Sequence, residues 1–448
     1  MSSDIFVIGL DEENRRVLDR IPRAAAYRFH GLLTPEELYQ GEIDVEGLLK
    51  TAQQELDAFD GDIAAIVSYG DFPAATLVPV LCARYGLPSV PLEAVLKCEH
   101  KYWSRLEQRK AIDELPNFGI VDLDAPHPAP PEGVGYPMWL KPVKSFSSEL
   151  AFNAGNDAQF AEAVAKIRAG VGRVGEPFGA VLEQVELPPE IARVGGAACL
   201  AEEALRGVQA AIEGYVYQGE VTVHGALDSV NYPDSSSFLR HQYPSQLGEE
   251  PVQRMRDVAE RVLKQIGFDN GTFGIEFFCD PESGQVCLLG INPRHSPSHA
   301  ELFEFVDGVA NHEIMVRLGL GQDPARRPRK GTYQIAGKWY LRRFEDGVVT
   351  RVPTPEEIAT VQHRVDGTRI DIVPEAGQRL SDLPQQDSYS FELAHLFVAG
   401  HTEHEMVQKY QACVDALPFE FAPPFDSARP FNSTRPFDSA PPFNSTRA

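Results

Sequence analysis

The sequence predicts a protein that is α/β at its start and α+β through its middle and end, and three observations carry that prediction. The first hundred residues alternate apolar strands with helices, the order of a small parallel sheet. Further on, Phe273, Ile275 and Phe277 alternate with Gly274, Glu276 and Phe278, the period of two that a strand requires. A chain of 448 residues, 43% hydrophobic and 24% charged, has length for two to four domains with cores of their own.

The elements follow in order. Asp4–Leu10 is an apolar strand containing Gly9, with a polar helix after it. Ile63–Tyr69 is a second strand, Pro73–Tyr85 a helix stopped by Gly86, and His100-Lys101-Tyr102-Trp103-Ser104-Arg105 opens another helix. Tyr136–Val143 is an apolar strand carrying Lys141, followed by the small polar loop Lys144-Ser145-Phe146-Ser147-Ser148. Residues 157–169 read as a helix, and Ala180–Glu186 as an apolar strand running into acidic residues. The intervening Gly170-Val171-Gly172-Arg173-Val174-Gly175 matches a dinucleotide-loop pattern. That loop needs a strand before it, whereas here a helix precedes and Pro177 follows, so it is set aside. Ile212–Val216 and Glu220–Asp228 form a hairpin turning at Gln218-Gly219, and Val252, Met255, Val258, Val262 and Ile266 recur at helical spacing up to Gly267.

The hairpin built on Phe273–Phe278 turns through Asp280–Gly284 and returns from Gln285 to Ile291. Centred near Ser283, it sets Glu276 beside Gly290 and Gly274 beside Asn292, with Arg294 directly after. A carboxylate and a carboxamide on neighbouring strands are hard oxygen donors of the kind Mg²⁺ takes together with phosphate oxygens.

In this order the Lys101 helix, the Lys141 strand with its loop, the Ala180–Glu186 segment and the late Glu276…Asn292-Pro293-Arg294 set resemble the ATP-grasp superfamily, over about residues 60 to 330. The resemblance implies four parts: a Rossmann-like α/β domain (1–95), an ATP-grasp domain of two α+β subdomains (96–330), a small α+β cap (331–421) and a low-complexity, disordered tail (422–448). It also implies roles. Lys101 and Lys141 would hold the α- and β-phosphates of ATP, and Ser145, Ser147 and Ser148 would belong to a flap closing over them. Glu183 and the backbone of Val185 would meet the adenine edge, with Glu190 toward the ribose. Glu276 and Asn292 would bind Mg²⁺, Arg294 would steady the transferring phosphoryl group, and Arg240 would meet a substrate carboxylate. The sequence departs from the family at Gly290, where a second metal-binding glutamate is usual; Asp228 is a candidate substitute ligand.

Composition narrows the partners. The net charge of −24, from 41 basic and 65 acidic residues, leaves no broad basic surface for nucleic acid, so an anionic nucleotide needs local focusing by Lys101, Lys141, Arg240 and Arg294. Six scattered cysteines lack metal spacing and read as reduced thiols. Met1-Ser2-Ser3-Asp4 has no basic leader region and no apolar run reaches membrane-spanning length, so a cytoplasmic protein without a membrane is expected. His295 and His299 are separated by Pro297, which favours a loop over a zinc-binding helix face. From Pro418 a Phe/Pro/Ser hexad recurs, a pattern with no means of burying a core.

The expectation is an ADP-forming ligase that activates a carboxylate as an acyl phosphate and joins it to an amine such as an amino acid. Its cofactors would be ATP and Mg²⁺, its partners small molecules, and a homodimer is the assembly to test. Two alternatives stay open: a nucleotide-binding regulatory protein that lost turnover at Gly290, and a biotin-carboxylase-like enzyme.

Overall fold

A computed structural model describes residues 2–145, 149–235, 237–324, 331–383, 386–387 and 389–422. Ser147, Ser148 and all but the first residue of the expected tail lie outside the described residues.

Strands β1 (Ser3–Ile8), β2 (Tyr27–Leu32) and β3 (Ile63–Val67) form a parallel sheet in the order β2-β1-β3. Its strands are apolar almost throughout because helices cover both faces. The helix Ala74–Tyr85 ends at Gly86, whose positive φ of 67° closes the last turn as a left-handed residue.

Four strands make a second, antiparallel sheet, hereafter the lid: β4 (Phe118–Val121), β5 (Met138–Pro142), β6 (Phe152–Ala154) and β7 (Cys199–Glu203), in the order β4-β7-β5-β6. Met138 and Leu140 share a core with the helix Asp157–Gly170, which turns Trp139 and Lys141 to the opposite face. The segment 180–186 is not a strand. Val174, Phe178, Val181 and Leu182 lie at helical spacing in the helix Gly172–Leu182 and bury into the core around Trp103 and Leu77.

The third sheet has eight strands. β8 (Val208–Tyr217), β9 (Glu220–Asn231), β10 (Phe238–Tyr243), β11 (Gly271–Cys279) and β12 (Val286–Asn292) continue into β13 (Ile335–Arg343), β15 (Thr368–Ile372) and β16 (Phe391–Gly400), while β14 (Val348–Arg351) pairs with β17 (Glu420–Ala422). The order β12-β11-β8-β9-β10-β13-β16-β15 shows that three strands of residues 331–422 join the core sheet, β13 bonding directly to β10, while β14 and β17 make a two-stranded sheet of their own. One face is covered by the helix Glu249–Ile266 against Ile212, Ile275, Phe277 and Leu288, and farther along by the helix Glu403–Ala416 against Trp339 and Leu396. The opposite face looks toward the lid and the N-terminal domain. Among the described residues no helix is long and apolar enough to cross a membrane.

Candidate functional site

The β11–β12 hairpin has the register expected of it: Glu276 pairs with Gly290 and Gly274 with Asn292. Phe273, Ile275 and Phe277 are fully buried on the far face, so Glu276 is directed to the near one. A bulge between Glu276 and Phe277 frees the carbonyl of Leu289, which accepts from Arg105 Nη2 at 2.7 Å, while Nη1 donates to the Leu288 carbonyl at 3.0 Å. The Arg105 Nε–H also donates to Glu202 at 2.6 Å. This buried guanidinium thus fixes the Lys101 helix, β7 and β12 to one another, and sequence reading missed it.

Four cations converge here. Lys101 donates from Nζ to the Ser145 carbonyl at 2.8 Å and to Ser145 Oγ at 3.1 Å, which anchors the first residue of the expected flap. Lys141 pairs with Glu202, whose carboxyl would rise on burial but is held down at about 2 by Arg105 and Lys141 together. Lys144, left without a role in the sequence, is buried, pairs with Glu99 and lies 5.5 Å from the Phe72 ring centroid. Arg294 makes a two-pronged bond to Asp71 of the N-terminal domain, Nε to Oδ1 and Nη2 to Oδ2, both at 2.8 Å. Burial raises the pKa of Glu276 while Arg294, His299 and Lys141 draw it back, so these groups face one another across the cleft. Neither Glu276 nor Asn292 uses its side chain in a hydrogen bond among the described residues, which leaves three hard oxygens for a cation. At its outer end the cleft between lid and core sheet is about 600 Å³ and includes Trp139, Tyr232, Phe344 and Tyr389.

Several expected residues fall elsewhere. Glu183 and Glu190 are solvent-exposed, and Val185 packs onto the N-terminal core, all outside the cleft, because the segment is helix end and turn. The strand that reaches the join between the two sheets is β7, with residues 204–207 crossing from it to β8. Arg240 faces the wrong way: its guanidinium pairs with Glu403 and lies 5.3 Å from the Trp339 ring centroid, under the C-terminal helix. Asp228 shares that far face, paired in register with Gln242 and accepting from Gln246 N at 2.7 Å, so it is no substitute for the missing glutamate. The residue that β10 turns toward the cleft is His241.

Burial and the neighbouring charge of Lys141 push the Lys101 ammonium down to about 7, and burial pushes Lys144 down to about 8. If phosphate binds these groups as cations, binding above pH 7 must take up protons, and nucleotide affinity should weaken as pH rises from 7 to 9. With both lysines required as cations, the slope of log Kd against pH should approach about two by pH 9, and Lys101→Met should lower it to about one. A pH-independent Kd in the parent would contradict the assignment. The stability sign is opposite: an unfolded lysine keeps its proton to about 10.5, so the folded chain gains stability from Lys101 as pH rises across that window.

Comparison with known proteins agrees with this geometry. Residues 134–300 match the ATP-grasp domain family, so the chain carries an ATP-grasp domain. A 110-residue stretch is 36% identical to the carbamoyl phosphate synthase large chain of Arthrobacter sp. (strain FB24), covering 24% of this chain and 10% of that protein. Most of the chain superposes on solved structures, one being an L-amino acid ligase from Bacillus licheniformis (TM-score 0.70, 16% identity, 94% of this chain and 99% of that one). A second is the biotin carboxylase domain of Hydrogenobacter thermophilus 2-oxoglutarate carboxylase, a dimer described with MgADP and bicarbonate (TM-score 0.64, 15% identity, 94% and 91%). These likenesses show a shared fold over 94% of this chain.

Proposed function

We propose that the protein is an ATP-dependent, ADP-forming ligase that activates a carboxylate as an acyl phosphate and joins it to an amine. The observation that carries this reading is the convergence of Lys101, Lys141, Lys144 and Arg294 on one cleft that also presents the unengaged oxygens of Glu276 and Asn292. Compact ammonium groups suit phosphates, and the forked guanidinium of Arg294 suits the planar oxygens of a transferring phosphoryl group. Glu276 and Asn292 would hold Mg²⁺, whose charge offsets that of the phosphate oxygens. The backbone of residues 203–205, at the crossing between the sheets, takes the adenine-edge role first expected of Glu183 and Val185. The substrate carboxylate attacks the γ-phosphorus, the bond to the ADP oxygen breaks, and an amine then displaces phosphate from the acyl carbon. A lid closed over the cleft keeps water from that intermediate.

Incubation with ATP, Mg²⁺ and a pool of amino acids tests the reading, with release of ADP and phosphate the expected result. Gly290 favours a second reading, a nucleotide-binding protein without turnover. ATP binding with no substrate-stimulated ADP release would support it.

A further inference from the structure

Beyond the phosphate cleft, the same face of the core sheet carries two polar groups whose bonding capacity the fold leaves partly unused. His241 on β10 and Lys338 on β13 are directly paired in register. Lys338 is 5% exposed, and its ammonium makes one hydrogen bond, to Ser298 Oγ at 3.0 Å. Among the described residues no carboxylate lies within ion-pair distance of it; the rings of Tyr340 and Phe397 lie at 5.0 and 5.4 Å, and the carboxylates of Glu13, Glu392 and Asp371 act on it only from farther off. Arg342, two residues along on the same face, shows what a structural cation looks like here. It bonds Asp387 at 2.8 Å, Glu392 at 2.5 Å and the Phe238 carbonyl at 3.0 Å. A buried charge without a direct ion pair is costly, and such groups concentrate where a ligand supplies the partner.

His241 is the second such group. Its Nδ1 lies 2.9 Å from His299 Nε2, and His299 Nδ1 lies 2.6 Å from Glu213 Oε1. Glu213 is almost wholly buried and also accepts from Ser296 N at 3.1 Å and Asn311 Nδ2 at 2.9 Å. A carboxylate so held fixes the proton of His299 on Nδ1, and His299 Nε2 then accepts from His241 Nδ1. His241 Nε2 is left as a buried lone pair with no partner in the fold. Burial, with the positive charges of Lys338 and Arg342 nearby, keeps the ring neutral.

We propose that these two groups bind the amine substrate as an α-amino acid, its carboxylate on Lys338 and its amino group on His241, which takes the proton the nucleophile must lose. This rests on the ligase reading. The amine arrives as an ammonium. His241 Nε2 removes one proton, and the resulting charge is shared through His299 with Glu213. The nitrogen lone pair forms the C–N bond, the bond from the acyl carbon to the phosphate oxygen breaks, and the phosphate leaves with that electron pair. The remaining excess proton on nitrogen goes to the departing phosphate, so amide, hydrogen phosphate and one proton on His241 balance the step. Lys338 and His241 touch substrate; His299 and Glu213 are positioning residues.

Calorimetric titration of the full chain, saturated with Mg²⁺ and a non-hydrolysable ATP analogue, tests this with the common L-amino acids and with the decarboxylated amine of the tightest binder. The parent should prefer the amino acid over that amine by at least about tenfold, the scale of one charge-assisted bond. Lys338→Met should erase that preference while the ATP analogue binds as before. Lys338→Gln serves if the methionine variant melts early. A preference unchanged in the variant would overturn the proposal. So would a parent that binds the ATP analogue but no amino acid, leaving the ligase reading intact. A parent that binds no ATP analogue would overturn both.

Discussion

Arg294→Ala is expected to lower any ADP-forming rate by about 10²–10³-fold, the scale of one preorganised donor aimed at developing charge, with ATP affinity changed far less. Arg294 lies directly after the Asn292 end of β12 and is clamped by Asp71. A fixed guanidinium stabilises the transferring phosphoryl group in passage more than in the ground state. The alanine variant also strands the Asp71 carboxylate, so its melting temperature should fall. Arg294→Lys keeps a counter-charge for Asp71 but loses the fork, and should regain stability without regaining rate. Full activity in Arg294→Lys would show that the residue serves only to pin the N-terminal domain.

The second large effect concerns the vacant ligand. A Cβ built on Gly290 meets nothing within 4 Å, and its φ lies outside the left-handed region, so a side chain fits there without strain. Direct cross-strand pairing with Glu276 directs that side chain to the same face. Gly290→Glu should therefore raise Mg²⁺ affinity in the presence of ATP by about tenfold or more, a change that hydrogen-bonded partners of metal ligands alone can command. Without Mg²⁺ the two carboxylates repel, and burial has already raised the pKa of Glu276, so the metal-free variant should melt earlier than the parent. Weaker Mg²⁺-dependent binding in the variant would show that the open space at Gly290 belongs to a substrate.

The parts of the site legible in the sequence were those set by local period. The β11–β12 register followed from alternation of Phe273, Ile275 and Phe277 with a turn of fixed position: the structure has the expected Glu276–Gly290 and Gly274–Asn292 pairs, and a bulge after Glu276 shifts the rest by one residue. The adenine-edge strand was misplaced because two segments share one pattern. Ala180–Glu186 and Cys199–Glu203 both run from apolar to acidic, and the helical spacing of Val174, Phe178, Val181 and Leu182 was the signal that separates them. Arg240 and His241 show how sharply a strand discriminates: one residue exchanges the far face, under Glu403, for the cleft. The partners of the cations were beyond sequence reasoning. Asp71 meets Arg294 across 223 positions and Glu202 meets Arg105 across 97, and no period or motif encodes such a meeting.

The account stands on a nucleotide phosphate site between the lid and the core sheet, and Lys141 tests it most directly. Removing its ammonium leaves Glu202 paired with Arg105, so the local fold should survive while one charge facing phosphate is lost. Calorimetry of MgATP binding to the parent and to Lys141→Ala is the measurement. The account predicts a fall in affinity of at least about tenfold, as for loss of a charge-assisted bond, with a small fall in melting temperature from the lost ion pair to Glu202. ATP affinity within about twofold of the parent would contradict it.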